Sequence, residues 1–178
     1  IPDDYDPEQP RKMVVILHGG SSNHSLFLGV FFNNNVPWAD YSKNLNTRYV
    51  PRWDTDWIVV SPNGFGQVMW RWMGEQDVLD VIEDMQRHYN IDPDQIVLSG
   101  VSNGGVGTYS IGARHAWRFS AVLPMAGAPS WRQYLRGAGT ERDDRLISAF
   151  GAWDSIDNLR NTGLFRFFQQ IEPNKAGC

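Results

Sequence analysis

The sequence predicts an α/β fold built on a parallel sheet, and three observations carry that expectation. Strand-length apolar runs alternate along the chain with stretches of helical period, which argues for crossover units. Met13-Val14-Val15-Ile16-Leu17 is a continuous apolar run of strand length that empties into a loop of small residues. Gly100-Val101-Ser102-Asn103-Gly104-Gly105 joins the apolar run 95–101 to a helical stretch, 103–115, so that G-x-S-x-G falls at a strand-turn-helix junction.

The elements follow in order. After the first strand and the loop His18-Gly19-Gly20-Ser21-Ser22 comes a long polar and aromatic connection, 24–56, with a turn cluster at 33–37 and a possible helical turn at 45–50. Residues 57–60 read as the next strand, closed by Ser61-Pro62-Asn63-Gly64. Val78, Val81, Ile82, Met85 and Tyr89 then recur at helical spacing, and Glu75, Asp77 and Asp80 stand early, where carboxylates favour a helix N-terminus. Asp92-Pro93-Asp94 reads as a turn that starts the strand leading to Ser102, and 121–126 as the strand after the elbow helix. Segments 142–149 and 154–161 read as helical or irregular, with Asp154 as an N-cap and Asp157 in the first turn, and 164–168 as another strand. There is no internal repeat, linker or low-complexity tract.

Composition fits one domain over 1–178. The chain is 42% hydrophobic and 20% charged, enough for a single core. A formal charge of -4 without a basic block argues against nucleic acid or an anionic membrane as partner. No apolar run approaches the length of a membrane span, the first residues do not look like a signal peptide, and the lack of an initiator Met suggests a processed or trimmed start. Cys178 is the only cysteine, so no internal disulfide forms; with the histidines scattered, no metal site is indicated. Asn23-His24-Ser25 fits the glycosylation pattern, but a glycan there would obstruct the neighbouring glycine loop.

The chemistry concentrates at two places. Ser102 is the candidate nucleophile, because a serine on a sharp, strained turn exposes its hydroxyl, and Gly100 and Gly104 leave room for that turn to close. Gly19 and Gly20 carry little bulk, so their backbone N–H groups can approach a substrate and hold an oxyanion together with the N–H of Asn103. His18 is placed to orient that loop by hydrogen bonding rather than to move protons.

With these motifs in place, the chain resembles the α/β-hydrolase superfamily, in the esterase and prolyl-oligopeptidase-like branch that carries H-G-G after a strand and G-x-S-x-G-G at the elbow. The resemblance runs over about 1–168 and is closest over 14–20, 59–64 and 75–128. It implies a parallel sheet with helices on both faces and acyl transfer through a serine, chemistry that needs no cofactor. Family order runs nucleophile, acid, histidine, the acid following the strand matched by 164–168 and the histidine following one further strand. Glu172 is the only carboxylate in the acid's region, and no histidine follows it. The last strand and helix are therefore expected to be missing, the chain being a piece of a longer hydrolase rather than a natural short form, with the base histidine outside it.

The histidines present are poor substitutes. His115 closes the elbow helix about 20 Å from its start at 1.5 Å per residue. His88 ends the acidic helix, and His24 lies near the glycine loop at a position that fits no family role. The implied activity is hydrolysis of carboxylic esters, on small-molecule or polymeric substrates such as polysaccharide-linked esters or polyesters. Alternatives are a prolyl-oligopeptidase-like peptidase and a binding module on the same fold. Trp53, Trp57, Trp70 and Trp72 cluster around the second strand, where they either pack the core or line a cleft for sugar or aryl rings. Such substrates suit an extracellular or periplasmic protein, and a chain ending early suggests a complementary segment of the same protein as partner.

Overall fold

The computed structural model describes residues 1–32, 55–66, 70–129, 157–160 and 163–164. Among them five strands form one sheet: β1 (Arg11–Leu17), β2 (Ile58–Val60), β3 (Ile91–Val101), β4 (Ala121–Met125) and β5 (Gly163–Leu164), in the order β2-β1-β3-β4-β5. Every pair is parallel. The helices are α1 (His24–Phe32), α2 (Met73–His88) and α3 (Asn103–Arg114), with a 3-10 turn at Ala116–Arg118.

The apolar runs are continuous because the sheet is covered on both sides. Met13, Val15, Leu17, Ile58, Ile96 and Leu98 face a core completed by Val78 and Ile82 of α2 and Ile111 of α3. Val14, Ile16 and Val97 point the other way, onto Phe27 of α1. Consecutive residues such as Ile16 and Leu17 are thus both out of water, each worth about 1.5–3 kcal/mol of apolar burial. The N-terminal segment is tied beneath α2, where Tyr5 meets Tyr89 edge-on at 5.5 Å and its hydroxyl accepts the Asn90 N–H at 2.8 Å.

The structure corrects one reading of the sequence and shifts the start of two others. The connection expected over 24–56 opens with α1, capped by Asn23, whose Oδ1 accepts the Leu26 N–H at 2.9 Å. Its sequence, His-Ser-Leu-Phe-Leu-Gly-Val-Phe-Phe, has no polar face and so no helical period. Asp92-Pro93-Asp94, read as the turn that starts the strand, lies just inside β3, which begins one residue earlier at Ile91. Arg11 pairs with Ile91 and Met13 with Ile96, so the extra residues form an irregularity, folded over the 2.9 Å bond from the Asp94 N–H to Asp92 Oδ1. Finally, β5 is seen at Gly163–Leu164, one residue earlier than the strand expected at 164–168. Residues 165–168, Trp53, Asp154, Glu172, the clusters at 33–37 and 45–50 and the segment 142–149 lie outside the described residues. Asp157 stands at the start of a short 3-10 turn and accepts from Arg160 at 3.0 Å.

Candidate active site

The strand order places a topological switch point between β1 and β3, since the chain passes from β1 outward to β2 and then returns to the opposite side. Crevices outside the carboxyl ends of such strands bind ligands in open α/β sheets. Both sequence motifs leave the sheet there: His18-Gly19-Gly20 follows β1, and Ser102 follows β3.

Ser102 holds φ 57° and ψ -118°, a conformation that costs a non-glycine residue about 1–3 kcal/mol. Its main chain belongs to both neighbours. The Ser102 N–H donates to the Met125 carbonyl of β4 at 2.9 Å, and its carbonyl accepts the Val106 N–H at 3.1 Å, the first helical bond of α3. Left-handed backbone recurs at the ends of the flanking strands, at Ser21 after β1 and Ala126 after β4.

The junction closes through glycines. A Cβ on Gly100 would stand 2.5 Å from the Gly104 carbonyl oxygen and 2.7 Å from Thr108 Oγ1; one on Gly104 would run into the Leu17 carbonyl and lie 2.8 Å from that of His18. The ends of β1 and the first turn of α3 therefore touch main chain to main chain. Gly19 stands beside the serine, its Cβ direction 3.5 Å from Ser102 Cβ, and that of Gly20 points at Asn103 Nδ2, 2.6 Å away. Asn103 is the first residue of α3, so its N–H has no acceptor within the helix. The sequence-predicted Gly19, Gly20, Ser102 and Asn103 thus come together; Glu172 is not among the described residues.

His18 is buried. Its Nε2 lies 3.1 Å from the Asn63 carbonyl and its Nδ1 2.9 Å from that of Gly19, and a neutral ring, having one N–H, donates to one of them. Trp70 packs edge-on against it at 4.8 Å and donates its indole N–H to the His18 carbonyl at 3.1 Å. Trp70 also fills the space over Gly64 and Gly107. Among the clustered tryptophans, Trp70 is core, Trp57 packs on the α1 face with the Lys12 ammonium 5.5 Å from its ring, and Trp72 is exposed beneath the Arg71 guanidinium at 5.0 Å.

Sequence reasoning missed the partners of Asn63 and Trp70, whose contacts span 45 and 52 positions and leave no local signal. It placed Glu75 early in the acidic helix, and Glu75 stands in the first turn of α2, but its partners were missed. Glu75 accepts both arms of Arg114, at 2.9 and 2.6 Å, and Nε2 of His115 at 2.9 Å, pinning the start of α2 to the end of α3. Burial by itself would raise the Glu75 carboxyl; the hydrogen bond and charge of Arg114, then those of His115, overcome it and hold the carboxyl below its ordinary value.

Because the folded value lies below the unfolded one, this stabilisation is complete above the ordinary carboxylate range and is lost as pH falls through the lowered value. Glu75→Gln is expected to cost about 1–3 kcal/mol near neutrality. Its Tm is expected to fall less than that of the wild type between about pH 6 and about pH 3, where the wild type begins to lose that contribution. Thermal scans at the two pH values check this; parallel losses would show the carboxylate to be without weight.

The other histidines have partners of their own. His115 is held by Glu75 at the far end of α3, and His88 Nδ1 approaches the Asp84 carbonyl at 2.8 Å on the surface of α2. His24 donates from Nδ1 to Asn63 Oδ1 at 3.1 Å. Among the described residues, no three histidine, cysteine or carboxylate side chains gather to hold a metal ion, and no helix is long and apolar enough to cross a membrane.

Over 177 residues the chain is 27% identical to a bifunctional acetylxylan esterase/xylanase of Neocallimastix patriciarum, covering 95% of this chain and 24% of that protein. Among solved structures, the S-formylglutathione hydrolase of Staphylococcus aureus aligns with a TM-score of 0.56 at 14% identity, over 88% of this chain and 60% of its own. A ferulic acid esterase aligns at 0.52 and 18% identity, over 89% and 60%. The chain thus spans about a quarter of the first protein and 60% of the other two. The structural likenesses are those of fold, the α/β-hydrolase fold. The family model reaches further into sequence: it matches residues 64–162, more than half of the chain, from the loop after β2 through the serine elbow, and on that ground the chain belongs to the prolyl oligopeptidase family.

Proposed function

We propose that the protein is a serine hydrolase that cleaves carboxylic esters through an acyl-enzyme on Ser102. The observation that carries this reading is the backbone of Ser102, held at φ 57° between β3 and α3 with Gly19 against it. The Ser102 hydroxyl adds to the acyl carbon and gives its proton to a general base; the negative charge passes to the carbonyl oxygen. The N–H groups of Gly19, Gly20 and Asn103 form the oxyanion hole, helped by the positive end of α3. Collapse expels the alcohol, which takes the proton, and water repeats the sequence to release the acid.

Glu172 is assigned as the acid orienting the base. The base is a histidine outside these 178 residues, a reading supported by the engagement of His18, His24, His88 and His115 elsewhere. Polysaccharide-linked esters are the favoured substrates, since the relative matched over 95% of this chain is named an acetylxylan esterase/xylanase. A polymeric substrate goes with an extracellular or periplasmic location, and the acidic chain goes with an uncharged polymer rather than nucleic acid.

Peptide hydrolysis is the second reading, favoured by the family match itself. It uses the same nucleophile and differs in leaving group, so acetylated xylan against a proline-containing peptide anilide separates the two. For the nucleophile, the whole protein treated with a fluorophosphonate is expected to gain one adduct, mapped by peptide mass spectrometry to Ser102. An adduct on another serine, or none, would overturn the assignment.

A further inference from the structure

The geometry points to Asn63 as a positioning residue that holds the glycine loop from both ends. This rests on the assignment of Gly19 and Gly20 as oxyanion donors. Residues 18–24 leave β1 at His18 and enter α1 at His24, and between them stand two glycines and Ser21 with φ 57°. Glycine carries no side chain to anchor such a segment and has the most backbone freedom to lose, so the placement of its N–H groups depends on where the ends are fixed. Both ends meet one residue. The Asn63 carbonyl lies 3.1 Å from His18 Nε2, and its side-chain Oδ1 accepts from His24 Nδ1 at 3.1 Å.

Asn63 is itself held. Two residues earlier, Ser61 donates its hydroxyl to the Ile16 carbonyl of β1 at 3.0 Å. The next residue, Gly64, donates its N–H to Asp77 of α2 at 2.7 Å, and the Asn63 carbonyl accepts the Gly66 N–H at 3.1 Å. The loop after β2 is thus pinned to a strand on one side and a helix on the other. From there Asn63 sets the span of the glycine loop, and with it the distance from Gly19 and Gly20 to the acyl oxygen. A hydrogen-bond donor displaced by a fraction of an ångström loses most in the transition state, where the charge is greatest.

The test is a double-mutant cycle in the whole protein with an aryl acetate, using Asn63→Ala and His24→Phe. Asn63→Ala leaves the main-chain carbonyl beside His18 Nε2 and removes the arm to His24. It is expected to lower kcat about fivefold to tenfold, with KM within about twofold, and to weaken a trifluoromethyl ketone inhibitor by the same factor as kcat. In the His24→Phe background the same change is expected to cost less than about twofold, since its partner is already gone. Asn63 is exposed, so the thermal midpoint is expected to stay at the wild-type value, which separates positioning from folding. Losses that multiply in the double variant, or a rise in KM with unchanged kcat, would overturn the inference. Wild-type kinetics in Asn63→Ala, with turnover lost in Ser102→Ala, overturns it alone; turnover retained in Ser102→Ala overturns the underlying reading as well.

Discussion

Ser102→Ala is expected to lower ester turnover by the whole protein about 10⁶-fold, the loss that follows when a triad nucleophile is removed. The substitution deletes one oxygen from a half-buried position and leaves the N–H bond to Met125 and the carbonyl bond from Val106 intact. Stability is therefore expected to change by less than about 1 kcal/mol, or to rise, because functional strain is often held at a cost in stability. Burst kinetics with an aryl ester and a urea titration on the same preparation check both halves. A variant that keeps more than about one hundredth of wild-type turnover would place the nucleophile elsewhere.

Gly104→Ala is expected to have the second-largest effect, and to act on folding. The added methyl would meet the Leu17 carbonyl and lie 2.8 Å from that of His18, and neither is a side chain that can rotate away. Either β1 or α3 must shift, at about 3 kcal/mol or more, with loss of the Ser102 geometry. Gly29→Ala in α1 is the control: among the described residues nothing stands within 4 Å of its Cβ position, and replacing a helical glycine is expected to stabilise by about 0.5–1 kcal/mol. Urea midpoints of the two variants are expected to move in opposite directions. A Gly104→Ala midpoint at the wild-type value would mean that the close approach does not exist in solution.

The fold was readable wherever burial imposes a one-dimensional pattern. β1, β2, β3 and β4 are apolar runs because both sheet faces are covered, and α2 has a clean period because one side faces water. α1 escaped because it is apolar all round, which removes the contrast that reveals a helix; the signal that remained was Asn23 as its cap. The centre of the candidate site was readable for a different reason: the serine turn demands glycines at fixed offsets, and fixed offsets survive in a string of letters. Its supports were not. Asn63, Trp70 and Glu75 act across 39 to 52 positions, through contacts that exist only once the sheet has assembled. Each looked locally like something simpler, a turn residue, an aromatic in a cluster, a carboxylate at a helix start.

At Gly104 the end of β1 and the first turn of α3 meet through peptide groups, the Leu17 and His18 carbonyls facing the glycine. The dimensions of that contact are those of the polypeptide itself, the same whatever side chains fill the layers on either side. Exchanging one aliphatic residue for another at Ile16 or Leu98 would alter how firmly the sheet is held while leaving the separation of Gly19 from Ser102 unchanged. Divergence can then rewrite the interior freely, provided the few positions without a Cβ persist. A solved structure only 14% identical to this chain over the aligned part has the same fold. The geometry of this crevice is inherited through what the sequence omits at Gly100 and Gly104, more than through what it supplies.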